Sequence, residues 1–240
     1  MQPLVIINSK IIVSDKPLSY STSRSIYTPD ERFEQTIESI ASVRNSLPEA
    51  KLLLLDNSIL ESRWKRELEN TVDFFINPFD DNELKFDTDY HPTKAVGELA
   101  QLIRIFEFLK SFRQNWSRIY KLTGRYRLND DFDSTIHKDG MNIVRIHDLL
   151  LRHRLFQPNE IKITSTTLCF YTSFYSISPI HFDQYVRNSI SLYNTFKNNP
   201  SLQNEPLEAY QFLNLPNTLP VKTIGATGRF ACEANVFPSI

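Results

Sequence analysis

Four short, mainly apolar runs, separated by segments with the spacing of amphipathic helices, are the feature of this 240-residue sequence that most limits its fold. The runs are Leu4–Ile7, Leu52–Leu55, Phe74–Ile76 and Ile119–Leu122. Short apolar runs bounded by turn residues are typical of strands buried on both faces. Strands that alternate with helices form parallel sheets through right-handed crossovers. The sequence therefore predicts an α/β fold with a mostly parallel central sheet and helices on both faces.

Local signals predict where several helices begin. Thr28 is a predicted N-cap, Pro29 suits the first helical position, and Glu31 completes a capping box. Ser58 and Glu61 have the spacing of a second capping box. These two signals place helices after the first and second strands.

The rest of the chain is predicted from composition and spacing. Residues 79–93 are predicted to be a polar loop, and the β-prone start of the chain extends the first strand as far as Val13. In the second half we expect a strand at 164–177, a helix at 179–196, a short helix around Glu208 and strands within 221–237.

Composition excludes several classes of protein. Hydrophobic residues make up 41% of the chain and charged residues 23%, which is enough for a sizeable core. A net charge of −1 argues against nucleic acid as a partner, and no apolar run is long enough for a transmembrane segment. The two cysteines, Cys169 and Cys232, favour a reducing compartment. We therefore expect a single cytoplasmic domain over residues 1–240, with peripheral membrane contact left open.

Two acids follow the fourth strand. Asp131 and Asp133 are two residues apart, which places their carboxylates on one side of an extended chain. Such oxygens suit a hard divalent ion, Mn²⁺ or Mg²⁺, that would offset the charge on a departing nucleotide diphosphate. The alternative is that residues 129–134 form an ordinary solvated turn.

Several motifs occur together along the chain. The motif strand Lys121-Leu-Thr-Gly-Arg-Tyr126 resembles one in small glycosyltransferases of the glycosyltransferase-A fold, often encoded with bacterial or viral genes for surface polysaccharide synthesis. Segments similar to other parts of these proteins are found at 24–36, 94–98, 172–175 and 224–228. The usual Asp-x-Asp stands directly at the strand end in that family, whereas Gly124, Arg125 and Tyr126 occupy this place here.

The resemblance implies a Rossmann-like half at residues 1–135 that binds a nucleotide sugar, and an acceptor-binding half at 136–240. The implied donor-binding residues are Arg24, Ser25, Asp56, Lys94, Lys121, Gly124 and Arg125. Arg24 and Ser25 would approach the nucleotide or its phosphates, Asp56 the base or ribose, and Lys94 the diphosphate. Arg125 would hold the donor sugar, and Lys121 with Arg125 would serve a metal-independent enzyme. A solvated loop for Arg24 and Ser25, and a surface role for Lys94, are the alternatives.

The resemblance also implies where a catalytic base would lie. An inverting transferase needs a carboxylate that deprotonates the acceptor hydroxyl, and Glu208 or Glu205 stands where this base usually comes. Both could instead be exposed acids favoured at a helix start, and a retaining enzyme would not need them.

The resemblance therefore implies a hexosyltransferase that moves a sugar from a nucleotide-diphosphate sugar to a hydroxyl of a glycan or glycolipid. A non-catalytic carbohydrate- or nucleotide-binding relative is the alternative. A nucleotidyltransferase is disfavoured, because no Gly-rich, lysine-bearing loop follows the first strand.

Overall fold

The computed structural model describes residues 1–112, 115–146, 170–202, 207, 211–212, 215–229 and 236–237. The strands are β1 (Leu4–Ser9), β2 (Lys51–Asp56), β3 (Phe74–Ile76), β4 (Ile119–Thr123), β5 (Tyr126–Leu128), β6 (Asn142–Ile146), β7 (Phe170–Ile177), β8 (Thr218–Val221), β9 (Ala226–Arg229) and β10 (Val236–Phe237). The α-helices are α1 (Pro29–Ser46), α2 (Ser62–Thr71), α3 (Asn82–Asp89), α4 (Lys94–Ser111) and α5 (Phe182–Asn198). Short 3₁₀ helices span Ser134–Ile136, Pro179–His181 and Pro200–Leu202.

Seven of the described strands form the central sheet, in the order β3-β2-β1-β4-β7-β6-β8. β3, β2, β1 and β4 are parallel to one another, β7 is antiparallel to both β4 and β6, and β8 is parallel to β6. The predicted fold class, a mostly parallel sheet with helices on both faces, is confirmed.

The sheet divides the core into two layers, because successive side chains of a strand point to opposite faces. Val5 and Ile7 of β1 pack in the layer of α1 and α2, where Phe33 and Trp64 stack with ring centroids 5.1 Å apart. Leu4 and Ile6 of the same strand belong to the opposite layer, together with residues of α4 and α5.

A second sheet has three strands, in the order β10-β9-β5. Its strand β5 directly follows β4 along the chain. Gly225 precedes β9 with φ +71°, and a Cβ there would lie 2.2 Å from Cα of Phe132. The amide of Asn129 donates to the Gly225 carbonyl at 3.0 Å. Only glycine permits this close approach, which holds the 129–133 loop against the second sheet.

Of the two predicted capping boxes, the first is confirmed and the second is wrong. The Thr28 hydroxyl accepts from the amide of Glu31 at 3.3 Å, and the Glu31 carboxylate accepts from the amide of Thr28 at 2.7 Å. The second capping box is wrong, because α2 begins at Ser62. The Ser58 hydroxyl instead accepts from the amide of Ile12 at 2.9 Å.

Other differences concern whole elements. The predicted loop at 79–93 contains α3, whose N-cap Asp81 accepts from the amide of Leu84 at 3.0 Å. The first strand ends at Ser9 rather than Val13, since the chain turns away there and Ile11 is buried in the following loop. The predicted short helix around Glu208 and the residues of the predicted strand before 170 lie outside the described residues.

The predicted division at residue 135 stays a prediction, as does the single domain. None of the described helices has the length and apolar composition needed to cross a membrane.

Candidate active site

A cleft of about 110 Å³ opens at the carboxyl ends of β1 and β4, beside the first turns of α4. This is the edge of a parallel sheet where α/β proteins bind ligands. The residues that line it are Asn8, Ser9, Lys10, Val13, Arg24, Arg32, Thr88, Lys94, Gly97, Glu98, Gln101, Thr123 and Arg125. Five of these are basic and one, Glu98, is acidic, so the cleft favours an anionic ligand.

A larger depression of about 400 Å³ lies elsewhere, along the surface of α2. It is lined by Arg63, Arg66, Glu67, Asn70 and Thr71, all from that helix. These side chains are exposed or partly buried. The cleft at the strand ends is the stronger candidate, because buried polar groups from several elements converge there.

Those polar groups form a network around Gln101 of α4. Its amide nitrogen donates to the carbonyl of Ser9 at 2.6 Å and to the side-chain oxygen of Asn57 at 3.1 Å. The Gln101 side-chain oxygen accepts from Asn8 at 3.1 Å. The Asn57 amide in turn donates to the Thr88 hydroxyl at 2.9 Å. The network fixes the ends of β1 and β2 against α3 and α4.

α3 reaches the cleft because Gly97 has no side chain. A Cβ on Gly97 would lie 3.1 Å from both the Asp87 carbonyl oxygen and Cα of Thr88. This close approach of α3 to α4 brings Thr88 to the cleft wall.

Arg24, which lies between β1 and α1, contacts α3 and the residues that follow it. It is buried, and its guanidinium donates to the carbonyl of Thr88 at 3.2 Å and to the carbonyl of His91. Burial lowers the pKa of Arg24, an effect that the nearby Asp89 opposes. Among the described residues, Nε of Arg24 and Oδ1 of Asn8 are buried without a hydrogen-bond partner. Unsatisfied polar atoms in a cleft are positions that a ligand or water can satisfy.

Lys10 and Arg32 connect the loop after β1 to Asp89 of α3 and to α1. Lys10 pairs with Asp89 at 3.1 Å, and burial lowers the pKa of Lys10 despite this partner. Arg32 of α1 donates through Nε to the carbonyl of Lys10 at 2.7 Å and through Nη1 to the Ser25 hydroxyl at 3.1 Å. The two cations therefore shape the cleft wall through contacts within the protein.

The sequence-predicted donor residues fall into three groups. Arg24, Lys94 and Arg125 line the cleft. Ser25 and Asp56 do not, and both are engaged by the protein. The Ser25 hydroxyl accepts from Arg32 and from the amide of Tyr27 at 3.1 Å each. The fully buried Asp56 carboxylate accepts from the amides of Ile11 and Ser58 at 2.8 Å each.

Gly124 and Lys121 lie beneath the cleft lining. A Cβ on Gly124 would lie 3.0 Å from Cβ of Ser9, so this glycine lets the turn after β4 approach the end of β1. Lys121 is buried and donates to Glu98 at 2.5 Å, to the Thr123 hydroxyl at 2.9 Å and to the Thr172 carbonyl at 2.6 Å. Their predicted contacts with the donor stay predictions.

Asp131 and Asp133 are exposed and are not part of the cleft lining. The Asp133 carboxylate caps the 3₁₀ helix, accepting from the amide of Thr135 at 2.8 Å and from its hydroxyl at 2.7 Å. These hydrogen bonds from Thr135 lower the pKa of Asp133. No group of three or more potential metal ligands occurs in the described part of the chain. The two carboxylates do not by themselves make a metal site, and their role as ligands stays a prediction.

The predicted bases Glu205 and Glu208 lie outside the described residues. Sequence reasoning assigned no role to Lys10, Gln101 or Glu98. Gln101 carried a usable signal, since a polar residue among the buried, apolar positions of α4 needs polar partners. Glu98 stood within a segment noted for its resemblance, without a role of its own.

Solved structures resemble the fold of this chain. The galactosyltransferase LgtC, in complex with donor and acceptor sugar analogues, is 12% identical with a TM-score of 0.53, over 91% of this chain and 73% of LgtC. An active-site mutant of LgtC has the same identity and TM-score, over 91% of this chain and 72% of its own. Core-mannan synthase A from Aspergillus fumigatus, in its Mn/GDP form, is 9% identical over 92% of this chain and 72% of its own, with a TM-score of 0.48; at that score the likeness carries no inference about this chain.

No protein-family model and no curated protein matches the chain. The match to LgtC nevertheless defines the architecture: the chain has the glycosyltransferase-A fold, and its structural neighbours are glycosyltransferases. The predicted resemblance to the glycosyltransferase-A fold is confirmed.

Proposed function

We propose that this chain is a glycosyltransferase that moves a sugar from a nucleotide-diphosphate sugar to a hydroxyl of a glycan or glycolipid. The observation that carries the proposal is the basic cleft at the carboxyl ends of β1 and β4, in a glycosyltransferase-A fold. A nucleotide diphosphate brings at least two negative charges, which such a cleft attracts. The leaving diphosphate gains charge in the transition state, so fixed cations there accelerate the reaction.

Lys94 is proposed to hold the diphosphate, and Arg125 is proposed to do so as well, in place of the contact with the donor sugar that the sequence resemblance implied. Both line the cleft and are only partly buried. Lys94 is also the first residue of α4, an 18-residue helix whose N-terminus favours anions. Arg24 stabilises the wall of the same cleft, because its guanidinium already donates hydrogen bonds to two backbone carbonyls.

Glu208, or failing that Glu205, remains the proposed acceptor base. A base that takes the proton of the acceptor hydroxyl contributes about a hundredfold or more to the rate. Glu208→Gln and Glu205→Gln should each be compared with the wild type in a transfer assay. If both variants keep full activity, the base lies elsewhere or the enzyme retains configuration.

The donor site is tested by calorimetry with Lys94→Ala. We expect this change to weaken binding of UDP or GDP, whichever the wild type binds, by about tenfold, because one charge-assisted contact is lost. Binding of the matching nucleoside should be unchanged. Lys110→Ala, which removes a lysine from the last turn of the same helix, is the matched control.

Equal losses for diphosphate and nucleoside would reject the phosphate role of Lys94. A wild type that binds no nucleoside diphosphate would reject the proposed donor class. A wild type that binds the nucleotide sugar tightly but never transfers it would instead support the non-catalytic alternative.

A further inference from the structure

Glu98 is the acidic residue among the side chains that line the cleft. It lies in the second turn of α4, facing Lys121 of β4 across the layer between helix and sheet. Oε1 of Glu98 accepts from Nζ of Lys121 at 2.5 Å. The Glu98 side chain is 24% exposed, whereas that of Lys121 is 2% exposed. The pair therefore presents its carboxylate to the cleft and its ammonium to the protein interior.

The surroundings of Lys121 fix the carboxylate in place. Nζ also donates to the Thr123 hydroxyl at 2.9 Å and to the Thr172 carbonyl at 2.6 Å. A buried ammonium requires a counter-charge, so Glu98 is held with one oxygen toward Lys121. In the part of the chain that the structure describes, the other oxygen, Oε2, accepts no hydrogen bond. That oxygen is the polar atom left for a ligand.

A carboxylate is a poor neighbour for phosphate, since the two charges repel each other. Hydroxyl groups, in contrast, form their strongest hydrogen bonds with carboxylates. Of the parts of a nucleotide sugar, the ribose and the donor sugar carry the hydroxyl groups that Glu98 can bind. The affinity for the nucleoside diphosphate distinguishes the two, because that molecule keeps the ribose and lacks the donor sugar. The diphosphate is instead assigned to the basic residues Lys94 and Arg125 of the same lining.

We propose that Glu98 recognises the donor sugar by accepting hydrogen bonds from its hydroxyl groups, and that Lys121 is the positioning residue that orients Glu98. This inference rests on the proposed glycosyltransferase function. It assigns the choice of sugar, rather than of nucleotide, to the Glu98–Lys121 pair.

The experiment compares two affinities in each variant: that for a nucleotide sugar and that for the matching nucleoside diphosphate. The probes are UDP-glucose, UDP-galactose and GDP-mannose, with UDP and GDP as the parent diphosphates. We expect Glu98→Gln to weaken binding of the preferred nucleotide sugar by at least about tenfold, as one charge-assisted hydrogen bond is lost. Binding of the diphosphate should stay within about twofold or tighten, because a negative charge has left the cleft.

Glu107→Gln is the matched control. It makes the same change on α4, at a half-exposed glutamate whose partner is Arg104. Both of its affinities should equal those of the wild type. Lys121→Met should lower the sugar affinity while sparing the diphosphate, an effect on the ratio that a merely structural role would not produce.

Glu98→Gln leaves Lys121 buried without its counter-charge, and this variant could fail to fold. The double variant Glu98→Gln/Lys121→Met removes both charges with little change in volume, which proteins often tolerate. It should show the same selective loss of sugar affinity.

The outcomes separate the two proposals. If the wild type binds a nucleoside diphosphate but the variants lose sugar and diphosphate affinity equally, or lose neither, the role of Glu98 is overturned and the proposed function stands. If the wild type binds no nucleoside diphosphate at all, the proposed function falls and this inference falls with it.

Discussion

At the scale of single residues, the negative charge of Asp133 can be removed without altering the turn that its side chain caps. Its carboxylate caps the turn at Thr135, and asparagine caps such turns equally well. On the prediction that Asp131 and Asp133 bind Mn²⁺ or Mg²⁺, Asp133→Asn should lower turnover at least about tenfold, the least that disturbing a metal site typically costs. A transfer assay with added Mn²⁺ measures this, and the melting temperature should stay nearly unchanged.

Asp130→Asn is the control for this prediction, because Asp130 is an exposed aspartate of the same turn. The wild type should also lose activity in EDTA and regain it when Mn²⁺ is added back. Full activity of Asp133→Asn, together with indifference of the wild type to EDTA, would show that Asp133 is only a cap.

Single residues also mark where prediction from sequence ends. Arg24, Lys94 and Arg125 could be chosen because their charges and their order along the chain are visible in the sequence, and all three line the cleft. The partners of Asp56 and Lys121 could not be foreseen. Asp56 binds Ile11, 45 positions away, and Lys121 binds Thr172, 51 positions away. Such contacts depend on which strands become neighbours, which no local pattern specifies.

At the scale of elements, Asp73 joins three segments at the start of β3. Its carboxylate accepts from Arg44 of α1 at 2.9 Å, from Lys51 at 2.7 Å and from the amide of Leu52 in β2 at 2.9 Å. Partial burial acts to raise the pKa of Asp73, but these hydrogen bonds outweigh it and the pKa lies below its usual 3.8.

The lowered pKa of Asp73 predicts how its contribution to stability varies with pH. In the unfolded chain the group titrates near 3.8, and in the folded protein it titrates lower. The stabilisation is therefore full above the unfolded value and is lost as the pH falls through the folded value. We expect Asp73→Asn to lower the free energy of unfolding by roughly 0.5–1.5 kcal/mol at pH 7, because solvent screens these ion pairs, and the difference from the wild type to shrink below about pH 4.

Urea unfolding of both proteins from pH 7 to pH 3 measures this difference. Asp80→Asn, a change at an exposed aspartate, serves as the control and should match the wild type throughout. A deficit of Asp73→Asn that is independent of pH would contradict the ionic origin of the stabilisation.

Elements differed in how well they could be predicted. β1, β2 and β3 each contain a continuous apolar run, β4 is mainly apolar apart from Lys121, and α1 has a complete capping box, so local sequence was sufficient for them. α3 was missed because it has only eight residues and few apolar positions, so its helical period is short and weak. It is stabilised instead by contacts with α4 and by the bonds of Asp87 to Tyr193 and Lys197 of α5.

At the scale of the whole molecule, the sheet joins the two proposed halves of the chain. β7, from the second half, pairs with β4, from the first, and both core layers contain side chains from each half. The order of β7, β6 and β8 could not be predicted, because these strands are added beside β4 through tertiary contacts rather than through a repeating strand–helix pattern.

The shared sheet predicts that the chain unfolds as one cooperative unit, as expected for a single domain over residues 1–240. The only two tryptophans report on the two layers separately, since Trp64 is buried with α1 and α2 and Trp116 is buried in the opposite layer. We expect Trp64→Phe and Trp116→Phe, each with one remaining tryptophan, to give the same urea midpoint by fluorescence as by circular dichroism of the same variant. Separate folding of the two halves would add a second transition in circular dichroism without a fluorescence change, because both tryptophans belong to the first half.

Because β1 and β4 carry the cleft and lie between the layers, a bound nucleotide sugar should raise every midpoint together. A donor that moved the fluorescence midpoint alone would show that the halves are only loosely coupled.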